Sequence, residues 1–142
     1  MAEMRYALLF IAWVVYYFAE AKHDWVAESS LFKASVPRHR QNEWKNWDAL
    51  EKLTALLIVF GYEYLLSGWY MAALVLMWSA SLRWVLHEGW LSLFSGRTYG
   101  QMGTTSDVDI FVNNLGLGNL ANAIAITVPA IIFTILLIIE AQ

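Results

Sequence analysis

The segment Phe18–Trp25, with the sequence FAEAKHDW, carries three side chains that can bind a metal or exchange a proton. His23 follows Glu20 by three residues and Asp24 follows it by four. In an α-helix this spacing places all three side chains on one face, with Glu20 and His23 one turn apart. A Glu-x-x-His pair of this kind supplies ligands in di-iron carboxylate helices. Because an apolar run precedes the segment, any such chemistry is expected in or beside a membrane.

A second set of ionisable residues lies near the middle of the chain. Arg83 and His87 are four residues apart and share a helical face, whereas Glu88 lies about 100° from His87 around a helix. The candidate metal ligands taken together are Glu20, His23, Asp24, His87 and Glu88. A set of nitrogen and oxygen ligands suits iron, manganese or zinc. Against a metal, there is no second Glu-x-x-His pair, and Arg83 would repel a cation.

Three of the charged residues are predicted to lie at the same depth in the membrane. Glu20, Glu51 and Arg83 each lie fifteen residues from the outer end predicted for their own membrane span. At 1.5 Å per residue, each lies about 22 Å from the outer surface, in the cytoplasmic half of the bilayer. Three helices therefore carry polar side chains at one depth, and we expect these side chains to face one another.

Opposite charges in this set predict specific pairs. Arg83 is expected to contact Glu20 or Glu51, and His87 is expected to contact Asp24. Ionisable residues inside a membrane face protein or water rather than lipid, which favours such pairing. The whole predicted polar cluster is Glu20, His23, Asp24, Asp48, Glu51, Arg83, His87 and Glu88.

The composition of the chain indicates a membrane protein. Of its 142 residues, 59% are hydrophobic, compared with about 45–50% in soluble domains. Apolar or mostly apolar stretches predict four spans, at about residues 5–26, 46–66, 69–94 and 119–140. We therefore predict a single polytopic domain, residues 1–142, which is an all-α integral membrane protein with four transmembrane helices in an antiparallel bundle.

Loop and cap signals divide these spans. Ser67-Gly68 separates two apolar runs and predicts a tight helical hairpin, with Glu63 at its rim. Asn42 is a candidate N-cap for the second span, after a polar cytoplasmic loop. Residues 107–114 are predicted to form a short interfacial helix that follows the capping pattern of Ser106 and Asp109.

Basic residues predict the orientation of the chain. They concentrate in the first connection and its flanks, and the Ser67-Gly68 turn has none. By the positive-inside rule, the first and third connections are cytoplasmic and both termini are outside. The basic residues of the first connection and its flanks are Lys22, Lys33, Arg38, Arg40, Lys45 and Lys52.

The sequence PRHRQN places Arg38, His39 and Arg40 beside a predicted helix N-terminus. Positive charge and free backbone N–H groups suit an anion such as a lipid headgroup. The alternative interpretation is a basic loop that attracts anionic lipid without a specific site.

Three functions remain open from the sequence. The first is a non-catalytic structural or assembly subunit, as a homo-oligomer or with other membrane subunits, whose polar cluster fixes the packing of its helices. The second is a metal-dependent membrane enzyme, and the third is a proton or ion conduit. A conduit requires polar residues further outward, where the first span offers only Tyr16 and Tyr17. The net charge of −3 and the absence of a basic arm argue against a nucleic-acid partner.

Overall fold

The computed structural model describes residues 2–28, 38–101, 114–116 and 118–140, with side chains for residues 4–26, 49–101, 114–116 and 118–140. Three long helices make up almost all of this part of the chain: α1 (Ala2–Glu28), α2 (Arg38–Ser95) and α3 (Gly118–Glu140). The described residues include no strand. The predicted all-α class is therefore confirmed.

Each helix contains a stretch that is long and apolar enough to cross a membrane. These stretches are Met4–Val26, Ala49–Ser95 and Gly118–Glu140. Much of their apolar surface is exposed, as with Leu65, whose exposed fraction is 83%. Large contiguous apolar surface is unfavourable in water, so the outside of the molecule is suited to lipid.

Helix α2 contains both the second and the third predicted span, so the structure has three long helices where four spans were expected. Its 58 residues are interrupted at Gly68, whose backbone angles are φ 83° and ψ 177°. Only glycine adopts this conformation readily. A straight helix would separate Lys52 and Arg83 by about 46 Å. Both nevertheless contact the same oxygen atom of Glu20, so α2 changes direction between them.

The structure tests the predicted N-cap at Asn42 but not the predicted short helix at residues 107–114. Helix α2 begins at Arg38, so Asn42 lies inside it and the prediction of an N-cap at Asn42 is wrong. Arginine and glutamine favour helix, and nothing in residues 38–41 stops the helix from starting earlier. The predicted short helix at residues 107–114 lies outside the described residues except for its last position.

The core forms where α2 packs against α1 on one side and α3 on the other. Trp13 and Tyr17 of α1 stack with ring centroids 5.2 Å apart and an interplanar angle of 11°. Trp78 of α2 contacts Phe10 of α1 and donates a hydrogen bond from Nε1 to Thr134 Oγ1 of α3 at 2.9 Å. The buried members of the core are Tyr6, Trp13, Tyr17, Leu74, Val75, Trp78, Leu82, Ala130 and Leu137.

The start of α3 lies close against the segment that follows α2. Gly100 has φ 82°, and a Cβ atom added there would lie 2.3 Å from the backbone oxygen of Asn119 and 2.9 Å from Cβ of Ala123. Only a residue without a side chain fits this contact. Gly100 therefore fixes how α3 approaches α2 at this end.

Candidate functional site

A buried polar group connects α1 with α2, and we call it the Glu20 cluster. Glu20 and Asp24 are one turn apart on α1, on the side that packs against α2, and the exposed fraction of Glu20 is only 8%. Helix α2 contributes residues from both sides of Gly68. The members of the Glu20 cluster are Glu20, Asp24, Lys52, Arg83, His87 and Glu88.

Glu20 accepts two cations on one oxygen atom. Arg83 Nη2 donates to Glu20 Oε1 at 2.9 Å, and Lys52 Nζ lies 2.5 Å from the same oxygen. The contact with Arg83 is the one that depth and helical phase predict. The contact with Lys52 was missed, because its position near the end of a basic stretch suggested a role in orientation alone.

His87 lies between carboxylates on both sides of its ring. Its Nε2 atom is 2.9 Å from Asp24 Oδ2 and 3.9 Å from Glu20 Oε1. Its Nδ1 atom is 3.6 Å from Oε1 of Glu88. The predicted pairing of Asp24 with His87 is present. The ring is therefore held where both of its nitrogen atoms are near negative charge.

One group within the cluster has the spacing of metal ligands. Glu20, Asp24 and His87 each offer one ligand atom, and these atoms lie within 4.8 Å of one another. Carboxylate and imidazole ligands of this kind suit zinc, manganese or iron. Glu88 is not part of this group, and its Oε1 atom lies near the other ring nitrogen of His87, Nδ1.

Other predicted site residues are not part of that group, although His23 contacts one of its members. The side chain of His23 is 55% exposed, and its Nδ1 atom is 3.6 Å from Oδ1 of Asp24, its neighbour in sequence. Glu51 is exposed and accepts a hydrogen bond from Tyr16 at 3.5 Å. Of the two carboxylates considered for Arg83, the structure therefore selects Glu20.

For the remaining predicted residues the structure describes the helix but not the side chains. Asp48 and the basic residues Arg38, His39 and Arg40 belong to α2, but their side chains lie outside the described residues. A lipid headgroup site at Arg38–Arg40 therefore stays a prediction.

A second buried polar group, the Glu63 cluster, lies near the interruption of α2. Its members are Glu63, Arg5, Tyr6 and Ser67. Arg5 Nη2 is 3.0 Å from Glu63 Oε1, and the Tyr6 hydroxyl donates to the same oxygen at 3.0 Å. Glu63 is 2% exposed, so its prediction as an exposed rim residue is wrong. The N-terminal turn of α1 covers it, which the sequence of α2 by itself does not reveal.

The core between the two clusters is mainly apolar. Ala72 and Val75 are fully buried there, with exposed fractions of 0%. Its polar contacts include the hydrogen bonds that Trp13 Nε1 donates to Ser79 Oγ at 3.0 Å and that Trp78 Nε1 donates to Thr134 Oγ1 at 2.9 Å. Polar side chains thus concentrate at two levels of the structure rather than forming a continuous line.

No protein-family model, curated protein or solved structure matches this chain. The fold and site therefore define only a class. The protein is all-helical in its described part and has three helices that could cross a membrane, with a buried group of carboxylate, imidazole and basic side chains between α1 and α2.

Proposed function

We propose that this protein is a non-catalytic structural or assembly subunit of a membrane, whose buried ion pairs fix the positions of its helices. The observation that carries the proposal is the contact of Glu20 Oε1 with both Lys52 and Arg83. A charge that is buried in a membrane protein is expensive unless it is paired. In the Glu20 cluster the pairing comes from the protein's own residues.

The two clusters together determine how α1 lies along α2. Arg5 contacts Glu63 near one end, and Glu20 contacts Arg83 about 22 Å further along α1. Each polar contact in a membrane bundle contributes about 0.6–2 kcal/mol. Sliding α1 by one turn would break contacts in both clusters at once, so the register is specified strongly.

We further propose that α2 crosses the membrane twice and turns at Gly68, giving four crossings in an antiparallel bundle. The shared contact of Lys52 and Arg83 with Glu20 supports this arrangement, because it requires the two parts of α2 to lie side by side. The basic residues of the first connection support an orientation with that connection in the cytoplasm and both termini outside.

A conduit is less well supported than a subunit. A proton or ion path needs polar groups or water along its whole length, and Ala72 and Val75 lie fully buried between the two clusters. Trp13 Nε1 only donates its hydrogen bond, so it does not relay a proton.

The experiment measures the size of the native assembly and the ion flux through the purified protein in vesicles. We expect the 16.2 kDa chain to leave its native membrane in a mild detergent as part of a larger assembly of defined size. We also expect purified protein in vesicles to give no more proton or cation flux than protein-free vesicles. A monomer in native extracts would contradict the subunit role. Flux that Glu20→Gln abolishes and Glu51→Gln leaves intact would establish a conduit instead.

A further inference from the structure

We propose that Glu20, Asp24 and His87 bind a divalent transition-metal ion, such as zinc, that connects α1 with α2. This inference goes beyond the subunit role and does not depend on it. It rests on the position of three ligand atoms, on one buried oxygen atom and on the charge of the cluster.

The spacing of the ligand atoms is close to that of a metal site. One atom from each of the three residues lies within 4.8 Å of the others. Nitrogen and oxygen ligands bind zinc at about 2.0–2.2 Å in tetrahedral geometry, so two ligands of one ion lie about 3.3–3.6 Å apart. Small side-chain movements therefore complete the site. Glu20 and His87 are each 8% exposed, which limits competition from water.

One oxygen of Glu20 is left without a partner. Lys52 and Arg83 both contact Oε1, whereas Oε2 is buried and has no hydrogen-bond partner among the residues that the structure describes. A buried carboxylate oxygen is normally satisfied by a donor, a water molecule or an ion. Glu20 therefore has one oxygen, Oε2, that a bound metal ion could satisfy, whereas Oε1, which lies 3.9 Å from His87 Nε2, already contacts Lys52 and Arg83.

The charge of the cluster favours a further cation. It contains three carboxylates, Glu20, Asp24 and Glu88, but only two permanently charged bases, Lys52 and Arg83. One negative charge is thus left over when His87 is neutral. A metal ion must therefore replace the proton of His87, because a protonated imidazole together with Lys52 and Arg83 would balance the three carboxylates.

His87 has the second partner that metal-binding imidazoles usually have. Oε1 of Glu88 lies 3.6 Å from Nδ1, on the side of the ring opposite the other two carboxylates. When a metal ion is bound, Glu88 can move within hydrogen-bonding distance of Nδ1–H, and the metal then replaces the 2.9 Å hydrogen bond between Nε2 and Asp24 Oδ2. Glu88 is therefore a positioning residue in this proposal, and His87 is the ligand.

The test uses the full chain, purified in detergent and stripped with a chelator, and zinc ions as the probe. We expect calorimetry and elemental analysis to give one zinc per chain. Asp24→Asn and His87→Gln should each weaken binding at least about 100-fold. Glu88→Gln should keep the stoichiometry and weaken binding about 10–100-fold, the usual effect of losing an outer partner.

Matched controls come from the same region of the chain. His23→Gln removes an exposed imidazole next to Asp24, and Glu51→Gln removes an exposed carboxylate next to Lys52. Glu51→Gln should bind zinc as the unaltered protein does, and His23→Gln, which removes a contact with Asp24, should weaken binding far less than His87→Gln. Substoichiometric zinc in the unaltered protein would overturn the proposal, and so would a loss in His23→Gln equal to that in His87→Gln.

X-ray absorption of the zinc-loaded, unaltered protein tests the site without any variant that might fail to fold. We expect a first shell of nitrogen and oxygen with a single imidazole. Two or more imidazoles would place the ion elsewhere, since the cluster holds only His87, and would overturn the proposal.

Discussion

At the scale of single residues, Glu20 is a buried carboxylate with two basic partners. Lys52 supplies a compact charge and Arg83 a planar fork of donors, and both reach the same oxygen atom. Neither base is redundant, because a carboxylate that is 8% exposed cannot recruit water freely to replace a lost partner. The cost of removing a partner should therefore depend on whether Glu20 keeps its charge.

We expect Arg83→Gln to destabilise the protein by about 1–3 kcal/mol, because Glu20 keeps its charge and retains only Lys52 as a strong partner. In the Glu20→Gln background the same change should cost about 1 kcal/mol less. Equilibrium unfolding in mixed micelles measures both values. Glu51→Gln is the matched control and should change stability by less than about 0.5 kcal/mol. Additive effects of the Glu20 and Arg83 changes would show that their contact contributes nothing.

At the scale of elements, α2 depends on one glycine for its change of direction. Gly68 adopts φ 83° and ψ 177°, a conformation that a Cβ atom makes costly. Gly61, seven residues earlier, lies in regular helix and has open space where a Cβ would be added. An added Cβ atom is therefore expected to be unfavourable at Gly68 and favourable at Gly61.

We expect Gly68→Ala to lower stability by about 1–3 kcal/mol because of backbone strain. Gly61→Ala should instead raise it by about 0.5–1 kcal/mol, since alanine loses less entropy in a helix. Both are measured by the same unfolding assay. Equal effects of the two substitutions would mean that Gly68 is not a special position.

The approach of α3 also depends on a glycine. Gly100→Ala adds a Cβ atom 2.3 Å from the backbone oxygen of Asn119, whereas Gly96→Ala meets no atom within 4 Å. Both positions have positive φ, so both substitutions carry strain of about 1–2 kcal/mol. We expect Gly100→Ala to cost at least about 1 kcal/mol more than Gly96→Ala, the lower range of overpacking costs. A smaller difference in unfolding free energy would show that α3 moves aside easily.

At the scale of the whole molecule, the exposed surface of the described helices is rich in large apolar side chains, unlike the surface of a soluble protein. Charged groups concentrate in two buried clusters, and exposed side chains include Leu65, Leu93 and Leu120. Such a distribution is unfavourable in water and suits a lipid environment. Three helices could cross a membrane by length and composition, and the number of crossings is a question for experiment.

Single cysteines can count the crossings, because the chain has no native cysteine. With four crossings, Ser67→Cys should react with an impermeant maleimide in intact cells. Ser95→Cys should react only after permeabilisation. If α2 crossed only once as a straight helix, Ser67 would lie within the membrane and stay unlabelled on both sides. Labelling of both positions from one side would contradict the proposed topology.

Part of the site was predictable because helix geometry is fixed. Rise and rotation per residue place Glu20 and Arg83 at the same depth with facing side chains, and the contact is present. The choice of Glu20 over Glu51 as the partner of Arg83 was not predictable. It depends on how far each helix is rotated about its own axis in the packed structure.

The sequence by itself determined the all-helical class, the suitability for a membrane, the pair Asp24–His87 and the pairing of Arg83 with either Glu20 or Glu51. These follow from hydropathy, charge and helical periodicity, which are local properties. Only the tertiary structure decided that Glu63 is buried under Arg5 and Tyr6, that Lys52 joins Arg83 on one oxygen, and that His23 lies apart from the ligand group. These outcomes depend on contacts between distant segments, and no local pattern encodes which face of one helix meets another.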